Sequence, residues 1–289
     1  MLLSPSWPFR LDFTLRLVGL LKRNPLTAKR TFHLTKWYAD CIGENGDTAI
    51  VYCGIARWRA IALHYASVLG AIAVNQPSTR YSLRKCAMPV EKGTTIRWQS
   101  KSLKTKGAWE RLDPPCDVRI YESREGAIEW HCVHPRARAT VDLGDGVVIE
   151  GLGYVERLEM TVAPWNLPLE ELRWGRFLSN TDSVVWIDWR GEHARKIVLE
   201  NGTLGVMSAI ADSGIALEGN VRLRLSTGSV LRTGALGKTA LGMIPGVNRL
   251  LPSRLLNAQE CKLRSRGELL RGNVRSSGWA IHEVVRWPK

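Results

Sequence analysis

The apolar positions of this chain recur mostly at every second residue, the period of a half-buried strand, and seldom at the spacing of an amphipathic helix. Over residues 153–162 the alternation sets Tyr154, Glu156, Leu158, Met160 and Val162 on one face. Val155, Arg157, Glu159 and Thr161 fall on the other, where Arg157 and Glu159 can pair. Residues 48–58 are apolar on both faces and end in a tight reversal between Arg57 and Arg59. In 59–69 the large Ile61, Leu63, Tyr65 and Leu69 oppose the small Ala60, Ala62, Ala66 and Val68, with His64 among the small ones. Ala and Leu would also permit a helix there, but the adjoining hairpin and the β-branched and aromatic content predict a strand. The small face fits a cavity wall carrying one polar group, or close packing on another sheet.

Shorter strands are expected at 79–84, 94–100, 108–112, 117–122, 128–133 and 137–143, punctuated by Pro114-Pro115, Pro135 and the GDG at 144–146. Others are expected at 183–189, 196–200, 205–211, 221–224 and 279–287. Few helices fit: one turn over 167–172 with Pro168 at its start, and a stretch at 244–256 cut by Pro245 and Pro252. The pattern predicts an all-β chain in two units of similar size, 31–160 and 161–289, behind an N-terminal segment 1–30. No residue-level repeat links the halves.

Charge changes this picture at the ends. Of the net +14, residues 1–30 supply +5 and residues 221–289 supply +10, which leaves the middle near neutral. Basic ends suit an anionic membrane surface, nucleic acid or an acidic partner, or are simply solvated. The C-terminal region has no recognised nucleic-acid motif and too few aromatics for base stacking, so nucleic acid is not the expected partner. Arg10, Asp12 and Arg16 break the N-terminal apolar run, which makes it neither a secretory segment nor a membrane span. It still fits an interfacial segment, and the expected location is cytoplasmic, with contact at the membrane surface. The six Cys are scattered without a CxxC pair, as reduced thiols would be.

Familiar catalytic signatures fail. Gly151-Leu152-Gly153 lacks a third glycine, and there is no Walker A sequence, no GxSxG and no HExxH. His131 and His134 fall on opposite strand faces, so neither a metal nor an organic cofactor is expected. What stands out is acid among aromatics. Glu156 sits on an apolar face, where a carboxyl is either paired by something distant or kept protonated by desolvation, as a general acid requires. Asp188 repeats that pattern beside Trp186, with Val184 on the same face. Trp165, Trp174, Trp186 and Trp189 crowd the same stretch. They fit a packed core, or walls for an apolar ligand whose rings steady a developing cation.

FHLTKWYADCIGENGDTAIVY, EWHCVHPRARATV and GLGYVERLEMTVAPWNLPLEELRWGRF together resemble the AttH/CrtC family of two-domain lipocalin-like proteins. That group includes carotenoid 1,2-hydratases (hydroxyneurosporene synthases), with tocopherol-cyclase-like and fungal Diels–Alderase relatives. The resemblance covers about residues 30–200. It implies two lipocalin-like β-barrel or β-sandwich units side by side, an apolar cavity, and isoprenoid, carotenoid or polyketide ligands. The hydratases carry a Gly-x-x-Tyr-x-Asp segment; here Gly151-Leu152-Gly153-Tyr154-Val155-Glu156 puts Glu in the acid position, followed by Arg157 and Leu158. The expectation is cofactor-independent hydration or cyclisation, with Glu156 as proton donor, Tyr154 orienting it and Asp188 a second acid. Trp165, Trp174, Trp186, Met160 and His64 would contact the ligand. A non-catalytic lipid carrier with membrane-touching ends is the competing class.

Overall fold

The computed structural model describes residues 32–72 and 76–288, so the expected basic segment 1–30 lies outside the described residues. Two curled antiparallel sheets of ten strands each lie side by side. In the first, β1 (Phe32–Ile42), β2 (Thr48–Trp58), β3 (Ile61–Ala71) and β4 (Ser78–Ser82) run as a meander. They are followed by β5 (Val90–Lys92), β6 (Thr95–Ser100), β7 (Thr105–Arg111), β8 (Cys116–Ser123), β9 (Gly126–Asp142) and β10 (Val148–Met160). β10 returns to pair with β1, giving the order β4-β3-β2-β1-β10-β9-β7-β6-β5, with β8 also on β9.

The second sheet begins with β11 (Leu169–Leu178), β12 (Ser183–Gly191), β13 (Arg195–Glu200) and β14 (Thr203–Leu204). It continues through β15 (Met207–Ala211), β16 (Gly214–Leu217), β17 (Val221–Leu225), β18 (Ser229–Ala235), β19 (Gln259–Arg271) and β20 (Val274–Arg286). Its order is β14-β13-β12-β11-β20-β19-β17-β16-β15, with β18 also on β19. Raising each strand number of the first sheet by ten reproduces the second. The halves repeat one topology although their residues do not repeat.

Core placement explains the alternation. Trp37, Val51, Val68, Trp98, Trp109 and Val155 pack inside the first sheet, and Phe177, Val184, Trp186, Val198 and Leu269 inside the second. A further core lies between the units, where Tyr38, Ile50, Trp130 and Tyr154 meet Trp174, Ile187 and Ile281. Strands such as β2 are therefore buried on both faces, one toward their own unit and one toward its neighbour. Arg157 and Glu159 pair at 3.3 Å, as their shared face predicts.

Three expectations are corrected. Residues 128–133 and 137–143 belong to one strand, β9, which runs straight through Pro135. Pro135 falls where β9 changes partner on one edge, from β8 (up to Cys132) to β7 (from Ala137), and where its pairing with β10 on the other edge is irregular, so it has no register partner on either side. The turn expected over 167–172 is a 3₁₀ turn at Pro164–Asn166, and β11 already starts at Leu169. The region 225–278 holds strands β18 and β19, which the reading passed over. Glu260, Lys262 and Arg264 on β19 look like a solvent face but turn toward the first unit. The stretch at 244–256 forms two single-turn helices, Val247–Leu250 and Ser253–Leu256. No helix among the described residues is long and apolar enough to cross a membrane. Much of the C-terminal positive charge is engaged internally: Arg232 with Glu260, Lys262 with Glu283, Arg271 with Glu200, and Arg286 with Glu171.

Candidate active site between the two units

Strand alternation delivers Tyr154 and Glu156 to the face of β10 that meets the second unit. Glu156 is 6% exposed. Its Oε2 accepts hydrogen bonds from Trp130 Nε1 at 2.7 Å, Tyr154 OH at 2.7 Å and Trp174 Nε1 at 3.2 Å. Trp130 comes from β9, Tyr154 from β10 and Trp174 from β11, so both units hold one carboxyl oxygen. All three donors are uncharged, and among the described residues no cation lies within ion-pair distance of Glu156. Oε1 makes no hydrogen bond with the described residues. Burial, with Cys132 and Glu156 adding to it, pushes the Tyr154 phenol well above its ordinary value, which keeps it a donor.

Glu156 stands at the wall of a cavity of about 210 Å³ between the units. Leu158, Met160 and Ile128 line it from the first sheet, and Leu172, Ile187 and Trp189 from the second. A second wall is polar. Lys262 on β19 is 1% exposed, and its Nζ donates to Glu283 Oε2 on β20 at 2.5 Å. The ammonium also lies over the rings of Trp174, Tyr38 and Tyr52, at 5.1, 5.5 and 5.9 Å from their centroids. Burial would lower the Lys262 pKa, yet Glu283 and Tyr52 together raise it above the ordinary value. Burial would raise Glu283, but Lys262 and Arg232 bring it down to about 2.

The structure thus brings together Glu156, Tyr154, Trp174 and Met160 from the expected set. The others lie elsewhere. Asp188 and Trp186 share the face of β12 opposite Ile187 and Trp189, so that strand turns them away from the cavity. Asp188 accepts from Arg190 Nε at 2.7 Å, and Trp186 packs in the core of the second unit. Trp165 sits in the 3₁₀ turn, edge-on to Phe32 and Trp58 at 5.7 and 5.2 Å. His64 shares a face with Ala66 and Val68, which pack in the first unit's core, so the small-residue face of β3 is a packing face. Sequence reasoning missed Trp130, Lys262 and Glu283. Trp130 lies within the quoted EWHCV segment, while the other two carried no signal of burial.

A second buried carboxylate lies close by. Asp40 on β1 and Arg176 on β11 are both fully buried and joined at 2.7 and 3.1 Å, while Tyr38 OH donates to Asp40 at 2.8 Å. A side chain at Gly153 would come within 2.2 Å of the Asp40 carbonyl oxygen, and its absence leaves that oxygen to Trp109 Nε1 at 2.7 Å. The larger cleft beyond it, about 1090 Å³, is open, and Arg176, its one buried charged wall residue, is spent on Asp40.

No family model matches this sequence, and no curated protein matches it. Solved structures do match the fold. Kievitone hydratase from Nectria haematococca superposes with a TM-score of 0.53 at 10% identity, over 87% of this chain and 88% of that one. A protein described as AttH from Nitrosomonas europaea gives 0.53 at 10% identity, over 98% and 99%. CghA, crystallised with Sch210972, gives 0.52 at 10% identity, over 88% of each chain. At such identity the likeness is one of architecture, and it spans nearly the whole length. The chain has the AttH-like fold, two curled β units side by side, that these proteins share.

Proposed function

We propose that the protein binds an apolar small molecule in the cavity between its units and hydrates or cyclises it by proton transfer through Glu156. One observation carries this reading. A buried carboxyl is fixed through one oxygen by three uncharged donors, while its other oxygen is left unengaged at the wall of a cavity. A structural carboxylate in such surroundings would ordinarily have a cation beside it. Fixed geometry with one unengaged oxygen is what proton transfer to a bound carbon needs.

In this scheme a proton leaves Glu156 Oε1 for one carbon of a C=C bond, whose π pair forms the new C–H bond. Positive charge then develops on the neighbouring carbon beside Trp174 and Trp189, which line the cavity. The oxygen of water, or a second double bond of the substrate, attacks that carbon, and the proton released returns to Oε1. Trp130, Tyr154 and Trp174 hold the carboxyl still throughout. The route uses side chains and water alone. At about 210 Å³ the cavity is smaller than the roughly 300–1,000 Å³ of common small-molecule sites. An isoprenoid or polyketide of modest size fits it, and a carotenoid would enter by one end. Kievitone hydratase shows that this fold can carry a hydratase.

The test begins with mass spectrometry of the organic extract from protein purified out of its native source. A stoichiometric apolar compound, accompanied by its hydrated or cyclised form, is expected. Glu156→Gln should keep the compound and lose the conversion. Conversion that persists in the variant excludes Glu156 as the proton donor. A compound unchanged by either protein makes the chain a carrier, and an empty extract from folded protein rejects the cavity as a binding site.

A further inference from the structure

Of the cavity-wall groups with N–H donors to spare, Lys36, Lys262 and the Trp189 indole, Lys262 is the buried cation. It carries three N–H donors. One goes to Glu283, and among the described residues Nζ makes no other hydrogen bond. The ammonium otherwise lies over the rings of Trp174, Tyr38 and Tyr52, which attract the charge through their faces. Trp174 links this group to the proposed acid, since its ring lies under Lys262 while its indole N–H holds Glu156. Both groups line the same cavity.

We infer that Lys262 receives a carbonyl or enolate oxygen of the ligand, so that the cavity takes an apolar enone in preference to a pure hydrocarbon. The inference rests on the cavity being the ligand site. A Lys buried only for stability needs nothing beyond its Glu partner, and its placement at a cavity wall would then be a cost without a return. Folding has already stripped water from this ammonium, so an incoming ketone oxygen gains a charge-assisted hydrogen bond with little further desolvation. Glu283 keeps the ammonium charged and fixes its direction.

Such a substrate suits the two-group geometry by an anionic route in place of the cationic one, with Glu156 starting as the carboxylate. Water's oxygen bonds to the β-carbon of the enone while Glu156 Oε1 takes one of its protons. The C=C pair shifts toward the carbonyl carbon, and the C=O pair moves onto the oxygen beside Lys262. The enolate then takes the proton back from Oε1 at the α-carbon, the carbonyl reforms, and one water has been added. Lys262 supplies a donor where the negative charge grows, which is the largest single lever in many enzymes.

The experiment compares benzylideneacetone with trans-1-phenyl-1-butene, in which a methylene replaces the carbonyl, using titration calorimetry on the full chain. The enone should bind at least roughly tenfold more tightly, as a hydrogen bond to a charged donor implies. Lys262→Met combined with Glu283→Gln, which strands no buried carboxylate, should bind both probes alike. Infrared spectra of the bound ketone on the native protein give a readout independent of any variant: the C=O stretch should fall below its value in hexane. Equal affinity of the two probes for the native protein, or an unshifted stretch, overturns the role of Lys262 and leaves the cavity standing. Failure of both probes to bind folded protein overturns the cavity reading, and this inference with it.

Discussion

Two buried carboxylates in this molecule share one local design and have different surroundings. Tyr38-Ala39-Asp40 on β1 and Tyr154-Val155-Glu156 on β10 both place a phenol two residues before an acid, and in both the phenol donates to the carboxyl, at 2.8 and 2.7 Å. The strands pair antiparallel, so Tyr38 stands opposite Glu156 and Tyr154 opposite Asp40. From there they diverge. Asp40 meets the Arg176 guanidinium across the unit boundary, both carboxylate oxygens are engaged, and neither residue sees solvent. Glu156 meets two indoles and a phenol on one oxygen and a cavity on the other. What the second unit presents, a guanidinium or an indole, decides whether the motif ties the units together or is left with an oxygen to use.

Removing the cation should break the comparison most visibly. Arg176→Met leaves Asp40 buried without its partner, and removing one member of a buried pair costs about 3–5 kcal/mol. Urea unfolding should show a loss of that size, and adding Asp40→Leu should recover much of it, because two apolar groups leave no charge stranded. A loss under about 1 kcal/mol for Arg176→Met would mean that water already supports Asp40, and the contrast with Glu156 would lose its basis.

How much of this could be read in advance follows from what a strand encodes. Period two sorted Glu156, Leu158 and Met160 onto one face and paired Arg157 with Glu159, and those relations hold. The same rule put Trp186 and Asp188 together, also correctly, but a strand does not say which of its faces meets the neighbouring unit. Asp188 therefore looked like Glu156 and lies on the far side of β12. Lys262 was hidden for the opposite reason. With Glu260 and Arg264 flanking it at alternate positions, it reads as a solvent face, and docking of the first unit is what buries it. Asp40 has the same Tyr-x-acid spacing as Glu156, and nothing local announces Arg176, 136 residues away.

Glu283 separates the effect of a cation from the effect of burial, since it lies in the same cavity as Glu156 but has Lys262 beside it. Its pKa is depressed from an ordinary 4.5 to about 2, burial being outweighed by Lys262 and Arg232. A group shifted downward on folding contributes stability that is present above its unfolded pKa and is lost as pH falls through the folded one. Glu283→Gln should therefore be less stable than the native protein at pH 7, by about 3 kcal/mol from the stranded ammonium. That gap should close as the pH falls from about 4.5 toward 2. Urea midpoints taken across this window measure it, and a gap that stays constant with pH would show that the Lys262–Glu283 pair is not ionic in the folded state.

The smallest expected effect is the most informative. Glu156→Gln keeps a carbonyl oxygen able to accept from Trp130, Tyr154 and Trp174, and it strands no cation because none is paired with Glu156 among the described residues. The new amide NH₂ takes the place of Oε1 at the cavity wall. Stability should therefore stay within about 1 kcal/mol of the native protein, whereas Asp40→Asn, facing a buried guanidinium, should lose several times as much. A carboxyl that the fold can neutralise at so little cost is held there for something other than the fold. If Glu156→Gln instead costs as much as Asp40→Asn, the two Tyr-x-acid segments are equivalent ties between the units, and the proton-transfer role has no structural basis.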